Sequence, residues 1–267
     1  MSGPVENNDM ALSLFHRYSD TRAKTISSLT ALWAGRLAGT ENPHIVDFGA
    51  GDGQLLAHCL RQIGTRARVT VVEPEDELAA RALVDLRERG HQASRRSDIK
   101  AAVSDRPANA ILAAHVLFYV TDLSGWMHSA LEGLAPAGSV SIVMRNPGCD
   151  AFRLRALVRA REGTPPRFTS SSIERFARQA AVTCSSTEIK STLEIPCQSP
   201  PKIENVPAAS QNEDLAALVC WMTALPFHLP MAPGLHLELS DYLSTRWSDG
   251  VIKLDLIDDL LELARDA

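Results

Sequence analysis

The chain has 267 residues, enough for one large domain or two small ones. Its 45% hydrophobic content can fill a sizeable core, and its formal net charge of −5 argues against a nucleic-acid partner, because phosphate binding wants a basic surface. Five cysteines (Cys59, Cys149, Cys184, Cys197 and Cys220) form no C-x-x-C pair and eight histidines form no H-E-x-x-H set, so no metal site and no redox motif is expected. The first nine residues, Met1 to Asp9, are polar and lack a signal peptide's apolar stretch. No run reaches the roughly 18 apolar residues of a membrane span. These features predict a soluble, cytoplasmic protein with reduced thiols and no membrane partner.

Residues 9–39 read as one or two helices, with Met10, Leu12, Leu14, Phe15 and Tyr18, then Ile26, Leu29, Leu32, Trp33 and Leu37, at roughly helical spacing. Gly39 and Pro43 mark the stop. From 44 to 145 strands and helices alternate. Strand 44–48 leads to helix 53–63, strand 67–72 to helix 75–89, and a weak strand near 91–96 precedes Ser97-Asp98-Ile99. Strand 109–114 runs into His115-Val116-Leu117-Phe118-Tyr119-Val120; helix 122–135 ends at Pro136 and Gly138; strand 139–144 follows. Such alternation predicts an α/β fold, a doubly wound and mostly parallel sheet with helices on both faces. Ligands in such sheets bind beyond the carboxyl ends of the strands, where strand order reverses. If strand 44–48 lies beside strand 109–114, the segment after each faces one crevice.

Beyond 145 the alternation lapses. Residues 150–162 read as a basic helix, for which a solvated face is the simpler account than an anion site. Thr164-Pro165-Pro166 is a loop, and Ser171-x-x-Glu174 reads as a capping box opening helix 172–181. Residues 182–195 are strand-like. Pro196 to Ser210 holds four prolines and reads as a loop. Helices near 213–225 and 234–247 form an inserted cap carrying Trp221, Phe227 and Trp247. The tail 251–263 is ambiguous between helix and strand; a seven-stranded sheet needs its last strand there, so part of it is expected to be β.

The most informative stretch is His44-Ile45-Val46-Asp47-Phe48-Gly49-Ala50-Gly51-Asp52-Gly53-Gln54. A buried strand stops on three glycines at alternate positions, then opens a helix. Glycines let the backbone turn sharply and leave no Cβ between main chain and ligand. Twenty residues beyond Gly53, at the end of the next apolar run, Glu73 can accept hydrogen bonds from ribose hydroxyls. A G-x-G-x-x-G dinucleotide fingerprint would need glycine or alanine at Gln54, and no phosphate-binding Gly-Lys-Ser/Thr is present. The set Asp47, Gly49, Gly51, Gly53 and Glu73 resembles the cofactor motif of class I S-adenosylmethionine (SAM) dependent methyltransferases. That resemblance implies a SAM-binding core over 44–145, with Glu73 and Pro74 near the ribose, Asp98 and Ile99 near the adenine, and His115 also among the cofactor contacts. The alternative for Asp98 is the N-cap of the next helix. The N-terminal segment then becomes either a lid, with Phe15, Tyr18 and Arg22 closing over the site, or a helix packed on the sheet.

A second resemblance covers most of the chain. Phe15-His16-Arg17-Tyr18-Ser19-Asp20, Val72-Glu73-Pro74, His115 to Val120, Phe168-Thr169-Ser170-Ser171 and the Ala232-Pro233 loop together resemble histamine N-methyltransferase. It implies one domain over 1–267, with lid helices 9–39, core 44–145 and an acceptor-side cap at 196–247. The implied acceptor is a small nitrogen-containing aromatic or heterocycle, imidazole- or indole-like. That family's acidic residue for the substrate amine falls near Thr21 or Asp20, its glutamine at His115 and its C-terminal asparagine at Asp255. His115, Tyr18 and Asp255 are therefore the candidate catalytic residues. Phe15, Tyr18, Arg22, Phe118, Tyr119, Trp221 and Phe227 are the candidate acceptor contacts. With a reference pKa near 6.5, His115 can act as a base for an N–H azole or a ring carbon, or its ring can be satisfied by the main chain. A non-catalytic module of the same fold is the competing reading.

Overall fold

Short runs rich in Val, Ile and Ala, with no polar face, suit strands covered on both sides. The strands are β1 (His44–Phe48), β2 (Arg68–Val72), β3 (Gln92–Arg95), β4 (Ala108–Ala114) and β5 (Leu134–Arg145), followed by β6 (Thr183–Pro196), β7 (Trp247–Ser248) and β8 (Val251–Ala264); β1, β2 and β4 are such runs, whereas β3 is polar. The computed structural model describes residues 4–162 and 168–264. The expected loop Thr164-Pro165-Pro166 lies outside them. The strands form one sheet in the order β3-β2-β1-β4-β5-β8-β6, with β7 antiparallel beside β8. The pairs β3–β2, β2–β1, β1–β4 and β4–β5 are all parallel. Strand order reverses at β1, so the segments following β1, β2, β3 and β4 leave from one edge.

The chain divides into two compact units. The sheet unit comprises Thr25–Met144, Arg167–Ile189 and Asp258–Ala267. Successive strand residues feed opposite faces. Ile45, Val69, Val71 and Leu112 pack on one side with Leu29 and Trp33 of α2 (Thr21–Arg36), Leu56 and Leu60 of α3 (Gln54–Ile63), and Leu86 of α4 (Asp76–Glu88). Val46, Val72, Ile111 and Ile142 pack on the other with Ile99 of α5 (Ile99–Ser104), Met127 of α6 (Leu123–Glu132), and Ile173 of α8 (Ser170–Gln179). Of the two expectations for the second N-terminal helix, packing on the sheet holds: Trp33 is fully buried and its Nε1–H donates to Ser141 Oγ of β5 at 2.9 Å. Arg36 closes the end of that helix with a two-pronged contact to Glu262 on β8, 2.6 and 3.0 Å.

The helical unit comprises Met1–Lys24, Arg145–Pro166 and Lys190–Ile257. Its core draws on Phe15 of α1 (Pro4–Tyr18), Leu154 of α7 (Asp150–Glu162), Leu218 of α9 (Glu213–Thr223) and Leu239 of α10 (Leu235–Ser244). Leu193 and Ile195 of β6 and Ile252, Leu254 and Leu256 of β8 complete it.

Two local expectations are corrected. Helix α6 stops at Glu132, and β5 starts at Leu134 with Pro136 inside it. A bulge tolerates that proline: Ala108 pairs Leu134 while Ala110 pairs Ser139, and Ala137 has φ 61°. Helix α8 starts at Ser170, two residues early, so its N-cap is Thr169, whose N–H donates to Ser172 Oγ, and Glu174 lies beyond the capping position. The ambiguous tail is strand throughout, from Val251 to Ala264.

Candidate active site

The alternating glycines after β1 all adopt left-handed backbone, with φ of +70°, +55° and +75° at Gly49, Gly51 and Gly53. Their neighbours differ. A Cβ on Gly49 would lie 2.3 Å from Val116 Cγ2, and one on Gly53 would lie 2.8 Å from Ala82 Cβ and 3.0 Å from its Cα. These two glycines therefore let the loop pass against the segment after β4 and let α3 pack against α4. Only Gly51 would project a Cβ into open space, with nothing within 4 Å.

Glu73 ties the loop to the end of β2. Its Oε2 accepts from Gly51 N–H at 2.9 Å and its Oε1 from Glu75 N–H at 3.0 Å. A carboxylate has about four acceptor positions, so two remain for a ligand's hydroxyls. Arg95 of β3, which the sequence reading did not single out, braces this turn. Its guanidinium donates to the Glu73 carbonyl at 2.7 and 3.0 Å and to the exposed Pro74 carbonyl at 3.0 Å. Asp98 is the N-cap of α5, accepting from Ala101 N–H at 2.9 Å and from Ser97 Oγ at 2.8 Å. It is exposed, while Ile99 is buried in the core under α5.

Asp47 is 4% exposed. Burial, with the negative charges of Glu73 and Asp52, pushes its carboxyl up to about 7. No hydrogen-bond donor among the described residues reaches it. A buried carboxyl of this kind, next to a further acidic pair, is suited to a positively charged ligand group.

His115 follows β4 with φ +54°, an uncommon conformation for a non-glycine residue, and its N–H donates to Val143 O at 2.9 Å. Its Nε2 lies 3.5 Å from Oδ2 of Asp258, a wholly buried residue of β8. The carboxylate from the tail that meets His115 is thus Asp258 and not Asp255. Asp255 is exposed on β8 in the helical unit, and its main-chain N–H donates to Asp150. Phe118 and Tyr119 form a short 3-10 turn with ring centroids 4.9 Å apart; Tyr119 is 78% exposed.

The remaining expected acceptor residues belong to the helical unit. Phe15 and Phe227 are core side chains there, and Phe15 packs against half-buried Trp221, ring centroids 5.1 Å apart and inclined at 45°. Tyr18 donates its hydroxyl to Asp214 at 2.7 Å, and that hydrogen bond raises its pKa, so it stays a phenol and is ill suited to act as a base. Thr21 is buried, sharing a hydrogen bond with Ser191 at 2.8 Å, and Asp20 accepts from Thr192 N–H at 2.7 Å. Thr21 carries no acidic group, and exposed Asp20 has one carboxylate oxygen held by the β6 main chain. Arg22 is half-buried in the same unit.

The strand order, the glycine turn and the acidic group ending β2 define the class I SAM-dependent methyltransferase fold. A methyltransferase-domain profile matches residues 16–183, well over half of the chain, and the chain belongs to that family. No curated protein sequence matches it. Among solved structures, a Bacillus halodurans chain described as a methyltransferase aligns with TM-score 0.56 and 14% identity, over 90% of this chain and 100% of that one. The plantazolicin methyltransferase BpumL, solved with a triazolic desmethylPZN analog and SAH, aligns with TM-score 0.51 and 14% identity over 97% of this chain and 90% of its own. A SAM-dependent methyltransferase from Thiobacillus denitrificans, solved with S-adenosyl-L-homocysteine, aligns with TM-score 0.50 and 14% identity over 88% and 90%. Among the described residues, no helix is long and apolar enough to cross a membrane.

Proposed function

We propose that the chain binds SAM at the 47–53 loop and transfers its methyl group to a small nitrogen-containing aromatic or heterocyclic acceptor, imidazole- or indole-like, at nitrogen or a ring carbon. The observation that carries the cofactor assignment is the open space at Gly51, whose N–H is held by the Glu73 carboxylate, together with the buried, raised carboxyl of Asp47 at the end of the same strand. These residues fit the group: Glu73 for ribose hydroxyls, the Asp47 cluster for the cationic amino-acid half, and Asp98 for the adenine amino group. No phosphate-binding element is needed, since SAM has no pyrophosphate.

SAM supplies a methyl group activated by a positively charged sulfur. The protein's task is to hold the acceptor atom in line with that carbon–sulfur bond and to keep water out. His115, at the same strand edge, is the proposed base for an acceptor that loses a proton. The resemblance to histamine N-methyltransferase supports the acceptor class, and the same small, acidic chain suits work on a diffusible substrate in the cytoplasm. Within this reading Trp221 and Tyr18 are the aromatic candidates for acceptor recognition.

Calorimetry with SAM and its product S-adenosylhomocysteine tests the cofactor, and mass spectrometry of reactions with histamine, tryptophan derivatives and cyclic dipeptides tests the acceptor. Absence of binding overturns the reading; binding without transfer to any of this panel favours the non-catalytic module. Glu73→Ala is expected to weaken SAM at least about tenfold, equivalent to roughly 1.4 kcal/mol. Asp47 gives a signed pH prediction. Its folded pKa is raised, so near pH 7 part of the free protein holds that proton. A cation beside it favours the carboxylate, so binding releases a proton. The apparent enthalpy at pH 7 should change with the ionisation enthalpy of the buffer, and this dependence should vanish in Asp47→Asn.

A further inference from the structure

The β8 tail buries three acidic side chains: Asp258 fully, Asp259 to 5% exposed and Glu262 to 8%. Glu262 is accounted for by Arg36. Asp258 is the most deeply buried of them, and a buried charge costs several kcal/mol unless paired. Its Oδ2 faces one particular ring atom, Nε2 of His115, at 3.5 Å. His115 is itself held by a left-handed backbone and a main-chain bond to β5, and a third of its side chain is exposed. Backbone strain of this kind concentrates where a side chain must be aimed.

We propose that Asp258 is a positioning residue for His115, fixing the Nε2–H tautomer so that the lone pair lies on Nδ1, the atom that takes the acceptor's proton. The inference rests on the proposed role of His115 and extends it to a residue that touches neither substrate nor cofactor. The step balances. The acceptor atom bonds to the methyl carbon as the carbon–sulfur bond breaks, and that electron pair stays on sulfur, which becomes a neutral thioether. The acceptor's proton passes to Nδ1, and the resulting imidazolium is stabilised by the Asp258 carboxylate until water removes the proton. Such an arrangement favours acceptors that must lose a proton, an N–H azole or an indole carbon, over a free amine whose lone pair is already available.

The test needs no known acceptor. The full chain is labelled with 15N-histidine and observed at pH 8, where an ordinary imidazole is neutral; the His115 signals are those absent from His115→Asn. The expected result is a pyrrole-type Nε2 and a pyridine-type Nδ1 in the wild type, with mixed tautomers in Asp258→Asn. A wild-type Nδ1–H tautomer overturns the proposal, and so does a tautomer unchanged in Asp258→Asn. If that variant does not fold, the wild-type spectrum alone decides. With any acceptor of the panel that is turned over, Asp258→Asn is expected to lower kcat about 10- to 100-fold, as loss of a supporting partner does. SAM affinity should stay within about twofold, because Asp258 is not among the groups assigned to the cofactor. The His115→Asn/Asp258→Asn double variant should be no slower than His115→Asn alone. Full kcat in a folded Asp258→Asn also overturns the proposal. Loss of SAM binding by the wild type would instead count against the cofactor assignment and leave the tautomer result standing.

Discussion

Gly49→Ala is expected to destabilise the protein severely, whereas Gly51→Ala should leave it folded and abolish tight SAM binding. The two positions share a left-handed backbone, so an alanine at either carries about 1–2 kcal/mol of backbone strain. They differ in what the new methyl meets. At Gly49 it would sit 2.3 Å from Val116 Cγ2 and 2.6 Å from Val116 Cβ. Val116 cannot rotate clear, since its Cβ is itself too close. Either the loop or the segment after β4 must move, an overpacking cost of about 1–3 kcal/mol. Together these predict a loss of roughly 2–5 kcal/mol, read as a lower urea midpoint. At Gly51 the methyl meets no protein atom within 4 Å. It enters the space assigned to the cofactor, beside the amide that Glu73 engages. The expected signature is a urea midpoint lowered only by that backbone strain, about 1–2 kcal/mol, with SAM affinity reduced about 100-fold or more, close to 3 kcal/mol. If Gly51→Ala binds SAM normally, the cofactor does not lie over this turn.

The same pair shows what a sequence discloses and what it withholds. The spacing of the glycines and their place between an apolar strand and a helix are local properties, and they locate the loop. The reason for each glycine is not local. Val116 and Ala82 come from distant parts of the chain, and only the folded sheet shows that Gly49 and Gly53 serve packing while Gly51 faces open space. Strand positions were legible for a similar reason: β1, β2 and β4 are short apolar runs, and any sheet buried on both sides selects such runs.

The tail was harder because its pattern changes midway. From Ile252 to Leu256 buried and exposed residues alternate, which puts Asp255 outside. From Asp258 to Leu263 every residue is buried, because this half of β8 lies in the sheet interior between β5 and β6. Alternation no longer distinguishes an inward carboxylate there, so the residue facing His115 had no signal in the sequence. Arg95 escaped notice for another reason. It recognises backbone carbonyls of Glu73 and Pro74, and a carbonyl has the same identity at every residue. The N-terminal aromatic pattern was visible, but helical spacing marks a core stripe and a ligand wall alike. Phe15, at 5% exposure, belongs to the core.

Asp150→Ala is the substitution expected to cost the helical unit most. Asp150 opens α7 and is 4% exposed. One carboxylate oxygen accepts from Tyr242 Oη at 2.5 Å and from Arg246 Nη2 at 3.0 Å; the other accepts from Asp255 N–H at 2.8 Å. Arg246 also lies over the Tyr242 ring, 4.2 Å from its centroid. This one side chain therefore joins α7, α10 and β8. Burial alone would raise its pKa, but the hydrogen bonds from Arg246, Tyr242 and the Asp255 amide outweigh that and hold it below the usual carboxylate range. The Tyr242 phenol is pushed up to about 12 by burial and by Asp150 itself. Removing the carboxylate leaves a half-buried guanidinium, a phenol and an amide without their acceptor, and breaking a buried pair in this way costs about 3–5 kcal/mol. Asp150→Asn keeps one acceptor oxygen and should cost less, about 1–3 kcal/mol. The sign with pH follows from the depressed folded pKa. The stabilisation is complete above the unfolded carboxyl's pKa, about 3.9, and is lost as pH falls through the lower folded value. The gap between wild type and Asp150→Ala in thermal midpoint should thus be widest at neutral pH and narrow in acid. A gap near zero at pH 7 would mean that the network is ornamental; a gap that persists undiminished in acid would mean that its strength lies in shape and not in charge.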